Sequence, residues 1–489
     1  MYHIADVKKY LKCPVLFYRS INNRNEEYKP YVRLDEALTL LACKKLGLSE
    51  YFLGQKNDDK SLALCALKNY EWLVKARFEY HNLRIKIPFL HKTNYGYDVY
   101  FVYCGNYCKD DDMQFYIQSI WVLKNNGIFI NNIYIMHFNA NYVRQDSLDP
   151  NELFIISDSF YNDSNMPTKN IKDTIYAKMR DYSDVIDEME AFEKKAEIIP
   201  CRTNKCTRRS KCLYYDECFG KEKEYEDNSI ITLVTSAHKY EMFNRGIKYL
   251  RDADISLLEG TRQQYAQIMA DINGGIFVDK HALKSWLSEV HYPICFLDFE
   301  WETYAIPPYK AMKPYDVLPF EYSIHILNED GTIDHHEYIG TGDCRKKLIE
   351  NMINDIGKKG TIIAYNAVGA EMIRIQEMIR QFPEYTSPLM HIYYRMVDLQ
   401  LPFSMGMYYN TKMRGTYSLK TLMSILDENA YRKLDIHQGM EAVFNWRKVD
   451  RAEVNNQEEV LLHLKQYCAM DTYAMVKVYQ ALIDIVKDF

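Results

Sequence analysis

Tyr292-Pro-Ile-Cys-Phe-Leu-Asp298-Phe-Glu300 is an apolar run that closes on two carboxylates. A short apolar run of this kind reads as a buried strand. Side chains alternate along a strand, so Asp298 and Glu300 share one face and can address the same ion. Burying two like charges without a cation is unfavourable, which points to a divalent metal. An Asp-x-Glu alone arises often by chance, and its weight depends on what the rest of the chain supplies.

Downstream, Leu464-Lys-Gln-Tyr467-Cys-Ala-Met-Asp471-Thr-Tyr-Ala-Met lies in a strongly helical segment. Tyr467 and Asp471 are four apart and therefore on one helix face. In that geometry a phenol can orient a water while the carboxylate holds metal. Either residue alone reads as a core tyrosine or a surface acid; the set in order with Asp298 and Glu300 is more specific.

Asp298, Glu300, Tyr467 and Asp471 together resemble the DEDD (DnaQ-like) 3′–5′ exonuclease superfamily of the ribonuclease H-like fold, in its tyrosine-bearing subgroup. The superfamily's middle acid follows an Asn after a strand. Here Gly360-Thr-Ile-Ile-Ala-Tyr365-Asn366 is the strand, and Glu371 opens an amphipathic helix with Ile375, Met378, Ile379 and Phe382 on one face. The resemblance makes Glu371 the third carboxylate and Asn366 a substrate-positioning group. The acid is Glu where Asp is usual, and it stands one residue farther from the Asn. Asp398, in Val397-Asp398-Leu, is its rival and otherwise a loop anchor. Pro319-Phe-Glu-Tyr-Ser-Ile-His325, Val397-Asp398-Leu and Gly415-Thr-Tyr-Ser-Leu-Lys420 resemble phrases of a bacterial family that carries such an exonuclease domain fused to a second domain, with no catalytic role assigned. The implied mechanism has Asp298, Glu300, Glu371 and Asp471 holding two Mg²⁺ or Mn²⁺ ions roughly 4 Å apart, with Tyr467 orienting the water. Trp301, Phe299 and Tyr304 either stack on a terminal base or belong to the core.

The cysteines carry a second signal. Cys201-Arg-Thr-Asn-Lys-Cys206-Thr-Arg-Arg-Ser-Lys-Cys212-Leu-Tyr-Tyr-Asp-Glu-Cys218 puts four thiols in a polar stretch without apolar periodicity. Such a stretch has little core to bury thiols, and a soft metal or cluster explains them. Zinc usually takes cysteines two to four apart, so these wider spacings favour an iron–sulfur cluster. Arg202, Lys205, Arg208, Arg209 and Lys211, between the thiols, either offset charge, touch phosphate or are simply solvated. By contrast Cys43, Cys65, Cys295, Cys344 and Cys468 sit in apolar or helical contexts.

With Cys13 far upstream, in Tyr10-Leu-Lys-Cys13-Pro14, the pattern resembles the RecB-like iron–sulfur nucleases of the PD-(D/E)xK class, CRISPR-associated ones included. The resemblance implies a 4Fe–4S cluster on Cys13, Cys206, Cys212 and Cys218, with Cys201 the alternative to Cys13. Strands are expected over 83–90 and 97–103 around the turn Thr93-Asn94-Tyr95-Gly96, a helix over 113–124 and a strand over 132–139. The nuclease family would place an Asp where Pro88 stands and Glu-x-Lys where Phe101 and Tyr103 stand. None of these ligates a hard cation as carboxylate does. Gln118 matches the family's glutamine, while Asp98 and Asp110-Asp111-Asp112 read as turn and helix-start residues. The expectation is a degenerate nuclease domain that keeps its cluster; a misalignment that hides a true site is the other reading.

The whole arrangement resembles a bacterial family that fuses such a cluster domain to a DEDD exonuclease domain. The expected fold is α/β: a degenerate restriction-endonuclease-like domain over 1–225, a helical connector over 226–288 and an exonuclease-like domain over 289–489. Composition fits: 489 residues allow two to four domains, and 47% apolar with 26% charged residues is the globular average. No apolar run reaches membrane-span length, and the start, Met-Tyr-His-Ile-Ala-Asp-Val-Lys-Lys-Tyr, has no signal core. A soluble, cytoplasmic, non-membrane protein is expected. A net charge of −6 is not that of a simple nucleic-acid coat, so a DNA or RNA partner must be met through bound ions and local basic patches. The alternative function is a non-catalytic nucleic-acid-binding or assembly protein with both nuclease halves inactive.

Overall fold

The computed structural model describes residues 1–22, 35–195, 198–207, 211–221 and 225–487. The chain is mixed α/β and divides into two compact units, Met1–Cys201 with Ala305–Tyr315, and Arg202–Tyr304 with Asp316–Phe489.

The first unit is built on a seven-stranded sheet. Its strands are β1 (Tyr2–His3), β2 (Phe52–Leu53), β3 (Trp72–Tyr80), β4 (Leu83–Thr93), β5 (Gly96–Tyr103), β6 (Ile130–Phe138) and β7 (Phe154–Ser157). The order is β2-β3-β4-β5-β6-β7, with β1 beside β4. The expected hairpin is present: β4 and β5 pair antiparallel up to Thr93 opposite Gly96. Gly96 takes φ +128°, where a Cβ would strike Phe129, so glycine is required there. The helix Met113–Asn125 buries Ile117, Ile120 and Val122. Strand β3, not among the expected elements, alternates buried Val74, Ala76 and Phe78 with Lys75, Arg77 and Glu79. A small hairpin, β8 (Ser159–Tyr161) with β9 (Pro167–Asn170), completes the unit's strands among the described residues.

In the second unit the central strand β11 (Ile294–Thr303) pairs antiparallel with β12 (Val317–Leu327), which pairs antiparallel with β13 (Ile333–Ile339). On its other side β11 runs parallel to β14 (Thr361–Ala364), and β14 parallel to β15 (Met396–Asp398). The resulting order is β13-β12-β11-β14-β15. Apolar residues cover both faces. Ile294 and Phe296 pack with Met475, Val476 and Tyr479 of the long helix Gln457–Lys487. Cys295, Leu297 and Phe299 pack with residues of the helices Arg345–Ile356, Glu371–Gln381 and Thr386–Tyr393. Covering on two sides is why this strand reads as a continuous apolar run.

The 226–288 stretch is not a separate connector. Its helices Arg262–Ile272 and Lys280–Leu287 place Ala266, Ala270, Leu283 and Trp286 in the same core as Phe296. Between them β10 (Ile276–Val278) pairs with β16 (Tyr408–Asn410). Buried Gln267 donates to the Thr232 carbonyl and the Tyr409 hydroxyl. The division of the chain falls at 201/202 rather than at 225/226, and these helices bury their apolar faces within the second unit. No helix of the described residues is long and apolar enough to cross a membrane.

Candidate metal centre

Asp298 and Glu300 project from β11 opposite Ser323 and Glu321 of β12, just before a bulge between Glu300 and Trp301. Asp471, on the long helix, closes over them. One ligand atom from each of Asp298, Glu300 and Asp471 lies within 4.8 Å of the others. Burial, first, and the neighbouring acids, second, push the Asp298 and Glu300 carboxyls well above the ordinary range. Burial also raises Asp471, against hydrogen bonds from Tyr431 and Tyr467 and the charge of Lys420. Three carboxylates facing one point, Glu300 buried and Asp298 and Asp471 half-buried, are the hard oxygen donors that Mg²⁺ or Mn²⁺ takes.

Glu371 opens its helix, as the pattern of the sequence suggests, and is buried. Its Oε2 has no hydrogen-bond partner. Burial and the Asp298 charge raise its carboxyl. It lies outside the 4.8 Å triad but within electrostatic reach of it. Asp398 accepts from the backbone N–H groups of Asn366, at 2.9 Å, and Gln400, at 2.8 Å. It is thereby tied up as a loop anchor. Asn366, held in a left-handed conformation at φ +61°, is exposed beside the Glu371 helix.

Tyr467 is buried, and its hydroxyl accepts from Lys420 Nζ at 2.7 Å. Trp301 and Phe299 lie elsewhere. Both pack on the opposite side of β11, in the core beneath the helix Glu371–Gln381, and the Arg374 guanidinium sits 5.0 Å over the Trp301 ring. Strand alternation turns them away from the acids, which corrects the base-stacking expectation for Trp301.

Four neighbours of the centre were not assigned from sequence. Lys420 reaches Tyr467, and Tyr431 donates to Asp471 Oδ1 at 2.6 Å. Cys468 Sγ lies 3.6 Å from Asp298 Oδ2. Glu321 is fully buried with neither carboxylate oxygen partnered. Cys468 and Glu321 had a legible signal, Cys468 following Tyr467 three residues before Asp471 and Glu321 lying across from Glu300 on the partner strand. Tyr431 had none, since only the folding of its loop brings it to Asp471. Behind the acids, Thr472 meets Ser323 and His325 at 2.8 Å each, and His335 stacks on His325. This network fixes the long helix to β12.

Among the thiols, Cys206, Cys212 and Cys218 are half-buried in the second unit, whereas Cys13 and Cys201 belong to the first. The Cys212 N–H donates to the Cys206 carbonyl at 2.8 Å, and Cys218 sits on the short helix Tyr215–Phe219. Arg202 is buried among the rings of Tyr215, Phe219, Tyr225 and Phe243 and donates to the Phe219 carbonyl and Tyr225 hydroxyl. It acts as the loop's internal fastener rather than a solvated charge. Lys211 pairs with Asp216 at 2.7 Å; Arg208 and Arg209 lie outside the described residues. Among the described residues the thiols do not converge to the 4.8 Å spacing of a single ion.

At the nuclease positions of the first unit, Pro88 interrupts β4 opposite Lys75, which takes φ +53°. Phe101 is fully buried against Phe115 and Tyr116. Gln118 is buried with neither amide atom partnered, and Asp98 accepts from Asn131.

Residues 295–418 match the model of a domain of unknown function, DUF2779. The match contains Asp298, Glu300 and Glu371 and stops short of Tyr467 and Asp471. No curated protein and no solved structure matches the chain.

Proposed function

We propose that the protein is a metal-dependent 3′–5′ exonuclease that hydrolyses phosphodiester bonds of DNA or RNA. The observation that carries this reading is the convergence of Asp298, Glu300 and Asp471 from a central strand and a distant helix. The strand order β13-β12-β11-β14-β15, three antiparallel strands followed by two parallel ones, supports a ribonuclease H-like domain. The triad, with the orphaned oxygen of Glu371 beside Asp298, fits two Mg²⁺ or Mn²⁺ ions. Bound there, such ions supply a nucleophilic water and offset charge on the phosphodiester. Within the chain, Tyr467 orients the water by hydrogen bonding, and the carboxylates hold it in line with the terminal linkage. Water adds across the P–O3′ bond, releasing a nucleoside 5′-monophosphate and a new 3′-hydroxyl. Ion-borne positive charge lets an acidic protein meet a polyanion.

The N-terminal unit, with Pro88, Phe101 and Tyr103 where ligands would stand, is proposed to be a degenerate PD-(D/E)xK domain. It would serve nucleic-acid binding or structure. Cys206, Cys212 and Cys218, half-buried within the second unit, suit thiolate ligands of a 4Fe–4S cluster. A brown protein with broad visible absorption and bound iron supports the cluster; zinc in its place defeats it.

The decisive assay uses purified full-length protein, Mn²⁺ and end-labelled single-stranded DNA and RNA. Stepwise shortening from the 3′ end, lost in Asp298→Ala, is expected. Shortening that persists in Asp298→Ala, or none with any substrate, sinks the reading; tight binding without shortening would point to a non-catalytic nucleic-acid-binding protein.

A further inference from the structure

We infer that Lys420 is a positioning residue of the acidic centre, holding the Tyr467 oxygen so that the tyrosine's O–H proton must point at the carboxylates. The consequence for hydrolysis rests on the exonuclease reading; the geometry does not.

An ammonium has three donors and no acceptor. Lys420 Nζ lies 2.7 Å from the Tyr467 hydroxyl and 2.5 Å from the His437 carbonyl. It also sits over the rings of Tyr467, at 4.6 Å, and Tyr431, at 5.4 Å. Two hydrogen bonds and two ring faces leave this lysine little choice of position. Because Lys420 can only donate, the Tyr467 oxygen accepts from it and the phenolic proton turns elsewhere. The carboxyls of Asp471, Glu300 and Asp298 lie within electrostatic reach of the phenol, and Asp471 takes a hydrogen bond from Tyr431 at 2.6 Å.

Tyr467 is thus a donor whose proton is turned away from Lys420 and toward the acid side of the centre. A phenol with a free rotor would spend its proton on any acceptor in reach. A phenylalanine at 467 would leave Lys420 with nothing in the centre to hold. Lys420 therefore acts mainly through Tyr467, and its direct charge on the Asp298, Glu300 and Asp471 carboxyls is the smaller contribution that remains when the hydroxyl is gone.

The test compares Lys420→Met, Lys420→Arg, Tyr467→Phe and the double variant Lys420→Met with Tyr467→Phe, all in full-length protein with Mn²⁺ and a single-stranded oligonucleotide. Lys420→Met is expected to lower kcat about 10- to 100-fold, the usual cost of losing an outer partner that orients a group of a metal site, with KM within a few-fold. Lys420→Arg keeps the donor and restores most of the rate. In the Tyr467→Phe background, Lys420→Met changes kcat by less than about 3-fold, the mark of coupled sites. A full additional loss in that background means that Lys420 acts directly on substrate and overturns the inference, as does an unchanged kcat in Lys420→Met. A second readout needs no hydrolysis: 3-fluorotyrosine placed at 467 and followed by ¹⁹F NMR. Its resonance moves in Lys420→Met and stays in Lys420→Arg. A resonance unmoved by Lys420→Met overturns the inference even if the wild-type protein hydrolyses nothing.

Discussion

A carboxyl group taken out of water beside other acids keeps a proton that an exposed one would release. Asp298, Glu300 and Glu371 are in this position, with burial the first cause and neighbouring acids the second. A cation entering the centre must expel those protons, so its affinity rises with pH. Calorimetry of Mn²⁺ binding should show proton release and an affinity at least about 10-fold higher at pH 8 than at pH 6. Asp298→Ala should abolish both the tight binding and the release. His325 carries the opposite sign of charge. Burial, and then the His335 ring stacked on it, hold its pKa down to about 4. Unfolded, the same ring takes up a proton near pH 6.5. The unfolded chain therefore binds more protons between those values, and stability falls as pH drops from about 6.5 to about 4. Melting temperature should decline through that window. His325→Gln should flatten the decline, and an unchanged slope would count against the assignment. Of the alternatives left open, Trp301 belongs to the core, as alternation from Asp298 and Glu300 requires, whereas the ring cage that holds Arg202 draws in Phe243 and is not written in local sequence.

At the scale of elements, the acids depend on how β11 is held. Two residues beyond Glu300, Glu302 is buried and paired with Arg447 of the helix Gly439–Asp450. The preceding residue, Trp446, stacks on Phe320 of β12 at 4.4 Å and donates to the Gly340 carbonyl. Arg447→Ala leaves the Glu302 carboxylate buried and unpaired, a loss of about 3–5 kcal/mol. Urea unfolding of the second unit should report it, with Arg447→Lys less severe. Elements whose own period sets their burial were legible: the hairpin of β4 and β5, the helix Met113–Asn125 and the start of the helix at Glu371. Those stabilised mainly by distant partners were not. The helices Arg262–Ile272 and Lys280–Leu287 read as a polar connector because their apolar stripes are narrow, and only the core under β11 shows what the stripes bury.

For the whole molecule, the acid triad lies within one of the two units and draws on both its first half and its last helix. A ligand stabilises the unit that binds it in proportion to the logarithm of its concentration over Kd. Calorimetric unfolding should therefore resolve two transitions, and Mn²⁺ at about 100-fold its Kd should raise only the second unit's, by roughly 2.7 kcal/mol equivalent. A shift of both together would contradict the division. By itself the sequence determined which residue types could do metal chemistry. Alternation put Asp298 and Glu300 on one face of β11, and the helical period put Tyr467 and Asp471 on one face of theirs, since both depend only on local backbone geometry. Tertiary structure decided which of the candidates meet. It gathered Asp298, Glu300 and Asp471, left Glu371 beside them, tied Asp398 to a loop, and brought in Lys420 and Tyr431. Those outcomes rest on long-range packing between segments far apart in the chain, and no local pattern encodes the distance between two side chains that only a shared core brings together.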